Sequence, residues 1–96
     1  MMLVITYDVD TTDAAGAKRL RKVAKICERY GVRVQNSVFE VLVDSAQLTM
    51  LKAELEKVIL TEKDSVRLYR LGKNFSHRVE TMGKKPIVEA GGELMF

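Results

Sequence analysis

One cysteine, one proline, one histidine and no tryptophan occur in 96 residues, and each scarcity closes off a class of protein. With Cys27 alone there is no internal disulfide and no cysteine cluster for zinc, which excludes a disulfide-stapled scaffold and argues against a metal chaperone. The longest apolar run, residues 1–5, is far too short for a membrane span, and no basic stretch leading into an apolar core marks a secretory signal. A cytoplasmic protein without membrane contact is expected. Aromatic residues are few, and where an RNA-recognition strand needs several of them, "QNSVFEVLV" supplies only Phe39. There is no glycine-rich phosphate loop. The lone His77 sits in a polar segment with no evident Ser or Cys nucleophile, and it reads as a surface residue.

What is present fits an ordered single domain spanning residues 1–96. The chain is 47% hydrophobic and 30% charged, with six glycines and a net charge of +3; no linker, repeat or low-complexity tract interrupts it. A chain this short hides only about two-thirds of its unfolded surface, so pairing with a second copy would enlarge its core.

Residues 2–9 have the apolar, β-branched character of a buried strand. Over residues 13–30, Leu20, Val23, Ala24, Cys27 and Tyr30 recur at three- and four-residue intervals, the spacing of an amphipathic helix. Thr12 or Asp13 is its expected cap and Gly31 its end. Cys27 falls on the apolar stripe as core filler. In "VRVQNSVFEVLVD" the apolar phase changes near Gln35, Asn36 and Ser37, which predicts a short strand, a turn or bulge, and a longer strand. Asp44 or Ser45 opens a second helix whose stripe is Leu48, Leu51, Leu55, Val58 and Ile59. "SVRLYRLG" alternates as a half-buried strand closed by Gly72. The resulting order is an α+β, ferredoxin-like βαββαβ pattern with both helices on one face of an antiparallel sheet. Its other face must bind something, pair with a copy of itself or be polar. Residues 73–96 form a C-terminal extension, in which Pro86 begins an extra edge strand expected to pack on a partner subunit.

Two features bear on chemistry. Asp8, Asp10 and Asp13 gather where the first strand ends, as turn and capping residues or as ligands. Lys18, Arg19, Arg21, Lys22, Lys25 and Arg29 crowd the first helix with Glu28 as the sole acid among them, as a solvated face or as a phosphate-binding one.

"ITYDVDTTD", the basic "KRLRKVAKICERYG" and "VRVQNSVFEVLVD", in this order and at these distances, resemble the CRISPR-associated protein two family, the small subunit of the spacer-acquisition machinery. "YD" at the end of the first strand and the pattern Gln-x-Ser-Val-Phe-Glu are the most specific parts, and "RLYRLG" is similar to the family's fourth strand. The resemblance implies a ferredoxin-like homodimer in which Asp8 of each subunit meets its copy across the two-fold axis. It makes Asp8 the catalytic and metal-holding residue, with Mg²⁺ or another divalent cation as cofactor. No role for Asp10 is carried over. The resemblance also implies nucleic-acid contact by Arg19, Arg21 and Arg33, with Lys18 and Lys22 as alternatives by helical register. It marks Ser37 and Phe39 as site support, although Phe39 fits equally a core or interface position.

Two functions follow from the resemblance: a metal-dependent endonuclease acting on DNA or RNA, and a non-catalytic DNA-binding bridge that docks the CRISPR integrase subunit. A small-molecule regulatory domain on the same fold is the outsider, since the fold itself does not choose among functions.

Overall fold

The computed structural model describes residues 1–72, 74 and 77–83. Strand β1 (Met2–Asp8) is followed by helix α1 (Ala14–Tyr30), strands β2 (Gly31–Gln35) and β3 (Val38–Leu42), helix α2 (Ser45–Val58) and strand β4 (Ser65–Gly72). All neighbouring strands pair antiparallel, in the spatial order β2-β3-β1-β4. This is the ferredoxin-like arrangement that the order of apolar patterns implied. The expected edge strand beginning at Pro86, and most of the extension meant to pack on a partner, lie outside the described residues.

Side chains alternate across a strand, so β1 sends Leu3, Ile5 and Tyr7 to one face and Val4, Thr6 and Asp8 to the other. Leu3 pairs with Val41 and Ile5 with Phe39, which keeps the apolar face continuous into β3. The helices bury that face: Val23, Ala24, Ile26 and Cys27 from α1 and Leu48, Leu51 and Leu55 from α2 join the same core. Cys27 is fully enclosed, and burial pushes its thiol up to about 11, so it fills space and stays protonated.

Short acidic caps fix both helix starts. Asp13 accepts a hydrogen bond from the Gly16 amide at 2.8 Å, while Asp44 and Gln47 bond reciprocally as a capping box. Gly16 is also required by space: a Cβ there would lie 1.9 Å from the Asp10 carbonyl oxygen. Gly31 ends α1 as expected, but in an extended conformation with φ of −168° rather than a left-handed one. Its glycine identity comes from the sheet, since a Cβ would meet the Glu40 carbonyl oxygen at 2.1 Å. The phase change foreseen near Gln35 to Ser37 falls slightly earlier, where pairing slips between Arg33 and Gln35.

Candidate active site and nucleic-acid interface

Four carboxylates gather at the end of β1, and three are already engaged. Asp10 accepts from the Thr12 amide at 3.0 Å and the Thr12 hydroxyl at 2.7 Å, bonds that lower its pKa. Asp13 caps α1. Asp64, just before β4, has no exposed side-chain surface and accepts from Arg19 Nε at 2.8 Å, Arg19 Nη2 at 3.3 Å, the Leu60 amide at 2.9 Å and the Asp10 amide at 3.1 Å. Above all the Arg19 guanidinium, opposed by burial and aided by the two amides, holds the Asp64 carboxyl down at about 2.

Asp8 is the exception. It is exposed at the last position of β1, paired in the ladder with Ser65, on the sheet face away from the helices. Among the described residues its carboxylate accepts no hydrogen bond and enters no ion pair. The turn beside it is held firmly: the Tyr7 amide donates to the Ser37 carbonyl at 3.1 Å, and the Tyr7 hydroxyl donates to the Asn36 carbonyl at 3.3 Å. Ser37 thus braces the end of β1 next to Asp8. Phe39 does not lie with it. Its ring is fully buried in the helix-covered core, stacked on Tyr7 at 6.1 Å, so the core reading of this residue is the one the geometry supports.

The basic residues divide in a way that charge counting could not reveal. Arg19 turns inward, with only 12% of its side chain exposed, and ties α1 to the loop after β1 and the loop before β4. Its guanidinium is occupied as a brace. Lys18, Arg21, Lys22 and Lys25 are exposed on α1, and Arg33 is exposed on β2 with its guanidinium 5.2 Å above the Phe39 ring. Two acids escaped sequence reading altogether. Asp64 was hidden in the "TEKD" helix break, because its partner Arg19 is 45 residues away. Glu40 closes the Gln-x-Ser-Val-Phe-Glu pattern without a role of its own there, although its place between Val38 and Leu42 on the opposite phase from Phe39 and Val41 is a visible signal.

Carboxylate oxygens suit a hard divalent cation, but one carboxylate is a sparse donor set. Among the described residues of one chain, no group of three or more acidic, histidine or cysteine side chains could hold a metal. The donor chemistry of Asp8 fits Mg²⁺, which takes one or two carboxylates and completes its shell with waters and phosphate oxygens, and a second carboxylate would complete the pair. Also among the described residues, no helix is long and apolar enough to cross a membrane.

Strand order and helix placement put the molecule in the class of small ferredoxin-like α+β domains. The family model described as CRISPR associated protein Cas2 matches residues 1–79, and the chain belongs to that family. It is 57% identical over 96 residues, covering all of both chains, to a protein of Halalkalibacterium halodurans named CRISPR-associated endonuclease Cas2. It is 52% identical over 95 residues, 99% of this chain and 100% of the relative, to a CRISPR-associated endoribonuclease Cas2 of Rhodospirillum rubrum. The crystal structure of Streptococcus pyogenes Cas2 at pH 6.5 superposes with a TM-score of 0.78 at 54% identity, covering 86% of this chain and 100% of that one.

Proposed function

We propose that this Cas2-family protein works at the spacer-acquisition stage of CRISPR immunity as a homodimeric, Mg²⁺-dependent nuclease that hydrolyses phosphodiester bonds of DNA or RNA. The observation that carries the reading is the exposed, unengaged carboxylate of Asp8 amid three engaged neighbours. Asp8 and the partner's Asp8 would hold the cation together, each supplying half of a charge that neither chain provides alone. A divalent cation bound there would polarise the phosphodiester and acidify a water. The chain's own contribution is to fix the strand end, through Ser37 and the Arg19–Asp64 brace, and to leave Asp8 open to solvent. The names of the relatives, endonuclease in one case and endoribonuclease in the other, agree with this chemistry and leave both nucleic acids as substrates.

Chelation tests the metal requirement. Treatment with EDTA should abolish cleavage of both duplex DNA and single-stranded RNA, and added Mg²⁺ should restore it. Full cleavage by protein verified to be metal-free would sink the reading.

A specific observation also favours the bridging role. The exposed side chains of Lys18, Arg21, Lys22 and Lys25 extend along α1 for about 10 Å at 1.5 Å per residue, longer than a single scissile phosphate requires. Such a stripe suits contact with successive phosphates without reading bases, as in a dimer that holds duplex DNA and docks the integrase subunit. With Arg21 and Lys22 both changed to Ala, the slope of log binding constant against log salt should become shallower by about 1.8, near 0.9 per lost phosphate contact. An unchanged slope would leave α1 as a merely solvated face.

A further inference from the structure

Directly across the sheet from Asp8 stands Ser65. The two are partners in the antiparallel ladder of β1 and β4, and directly opposed residues project from the same face. Their Cβ atoms then lie about 4.5–5.5 Å apart, a gap that one hydroxyl and one carboxylate can close between them. Ser65 is exposed, and among the described residues its hydroxyl makes no hydrogen bond. Strand positions favour β-branched and aromatic side chains, so packing gives no reason for a serine there.

The pair is held firmly from both ends. Enclosed Asp64 comes immediately before Ser65, and its Oδ1 accepts from the Asp10 amide at 3.1 Å, which pins the chain just past Asp8 to the chain just before Ser65. The Lys63 and Asp64 amides both donate to the Leu60 carbonyl, at 2.9 and 2.7 Å, closing the turn that delivers the chain into β4. On the inner side, Tyr7 is paired with Val66. Asp8 and Ser65 are therefore bracketed by ladder pairing on one side and a buried carboxylate on the other. The other polar groups of this face are worse placed to serve Asp8. Arg67, on the diagonal, turns away from the strand end and donates to the Tyr69 hydroxyl at 3.3 Å. Thr6 is half-buried, further back on the same strand.

We infer that Ser65 is a positioning residue for the Asp8 site: its hydroxyl donates to one carboxylate oxygen of Asp8 while the other oxygen faces the divalent cation. The inference rests on the metal-site reading of Asp8 proposed above and deepens it. An exposed aspartate samples several rotamers, each presenting its oxygens differently, and a donor fixed by the neighbouring strand selects one of them. A neutral donor suits the task. An arginine at this position would occupy the carboxylate as Arg19 occupies Asp64, competing with the cation for its charge. Hydrogen-bond partners of this kind are worth about 10–100-fold in metal affinity or activity.

Metal binding without substrate tests the role. Mn²⁺, a paramagnetic stand-in for Mg²⁺, is titrated into the full chain and the free ion is followed by electron paramagnetic resonance, with Mg²⁺-dependent cleavage measured in parallel. Ser65→Ala should weaken Mn²⁺ binding about tenfold or more and slow cleavage at subsaturating Mg²⁺, with the melting temperature unchanged. Ser65→Thr, which restores the hydroxyl, should recover most of the lost affinity. Parental Mn²⁺ affinity in Ser65→Ala would overturn the positioning role. So would a loss that Ser65→Thr does not repair, or one accompanied by a lower melting temperature, since either points to packing. Asp8→Asn, run alongside, separates the two claims. If it abolishes Mn²⁺ binding while Ser65→Ala leaves binding intact, the Asp8 site stands and Ser65 has no part in it. If Asp8→Asn binds Mn²⁺ like the parent, the metal site itself falls and the role of Ser65 falls with it.

Discussion

Asp8→Asn should abolish metal-dependent cleavage, lowering the rate by about 100-fold or more, while dimerisation and duplex binding persist. The effect would be large because, in the proposed dimer, one substitution removes both negative charges from a site shared by two copies. Several kcal/mol of transition-state charge stabilisation is what a bound metal supplies, and about 1.4 kcal/mol corresponds to each decade of rate. Asp8 is exposed and bonded to no described residue, so its replacement leaves the fold undisturbed. Single-turnover cleavage with saturating Mg²⁺ measures the loss, and circular dichroism with gel filtration checks fold and assembly. A purified heterodimer of parent and variant chains adds a sharper readout. It should fall well below half the parent rate if, as proposed, the site needs both carboxylates. Parental cleavage by the Asp8→Asn homodimer would remove Asp8 from the mechanism.

Asp64→Asn should be the most damaging of the polar substitutions to stability, by roughly 2–4 kcal/mol. Asp64 Oδ1 takes the Asp10 amide, while Oδ2 takes both the Leu60 amide and Arg19 Nε. An asparagine can present an oxygen to only one side, so its NH₂ must face donors and Arg19 loses its counter-charge in a largely enclosed place. For a domain of this size, each kcal/mol moves the melting temperature by about 4–8 °C, so a fall of roughly 8–32 °C is expected by differential scanning calorimetry. The pH dependence provides a second check. The native carboxyl sits at about 2 against an ordinary 3.8, so the unfolded chain takes up this proton first as acid is added. The contribution is therefore complete above the unfolded value and disappears as the pH falls through that value to the native one. The parent protein should lose stability across that acid window, and Asp64→Asn should lose less of it. Equal acid sensitivity in the two proteins would mean that Asp64 is not the titrating brace.

The fold was legible because its signals are local. A short apolar, β-branched run marked β1, period-two alternation marked β4, three- and four-residue spacing marked both helices, and the acidic caps were ambiguous by only one residue in each case. Asp8 was legible as a strand-end carboxylate within a recognisable motif. Arg19 shows where such reading stops. Nothing in "KRLRK" distinguishes it from Lys18 or Arg21, since its fate depends on meeting Asp64 across the fold. Glu40 shows a second limit. Its strand and phase can be read from the chain, but whether a carboxylate finds a donor depends on every element packed around it. Phe39 lies between the two: its motif suggested a functional place, and its alternation with Val41 put it in the core.

The close seat of Gly16 against the Asp10 carbonyl has a bearing on how this protein can be altered. At 1.9 Å, even a methyl group would push α1 off the loop that follows Asp8. Position 16 is therefore closed to variation for backbone reasons, although its side-chain chemistry contributes nothing. Libraries meant to retune substrate choice around Asp8 should hold Gly16 fixed along with Asp13, Arg19 and Asp64. Diversity belongs at exposed positions such as Thr11, Lys18, Arg21 and Lys22, where the surface can change without moving the strand end that carries the carboxylate.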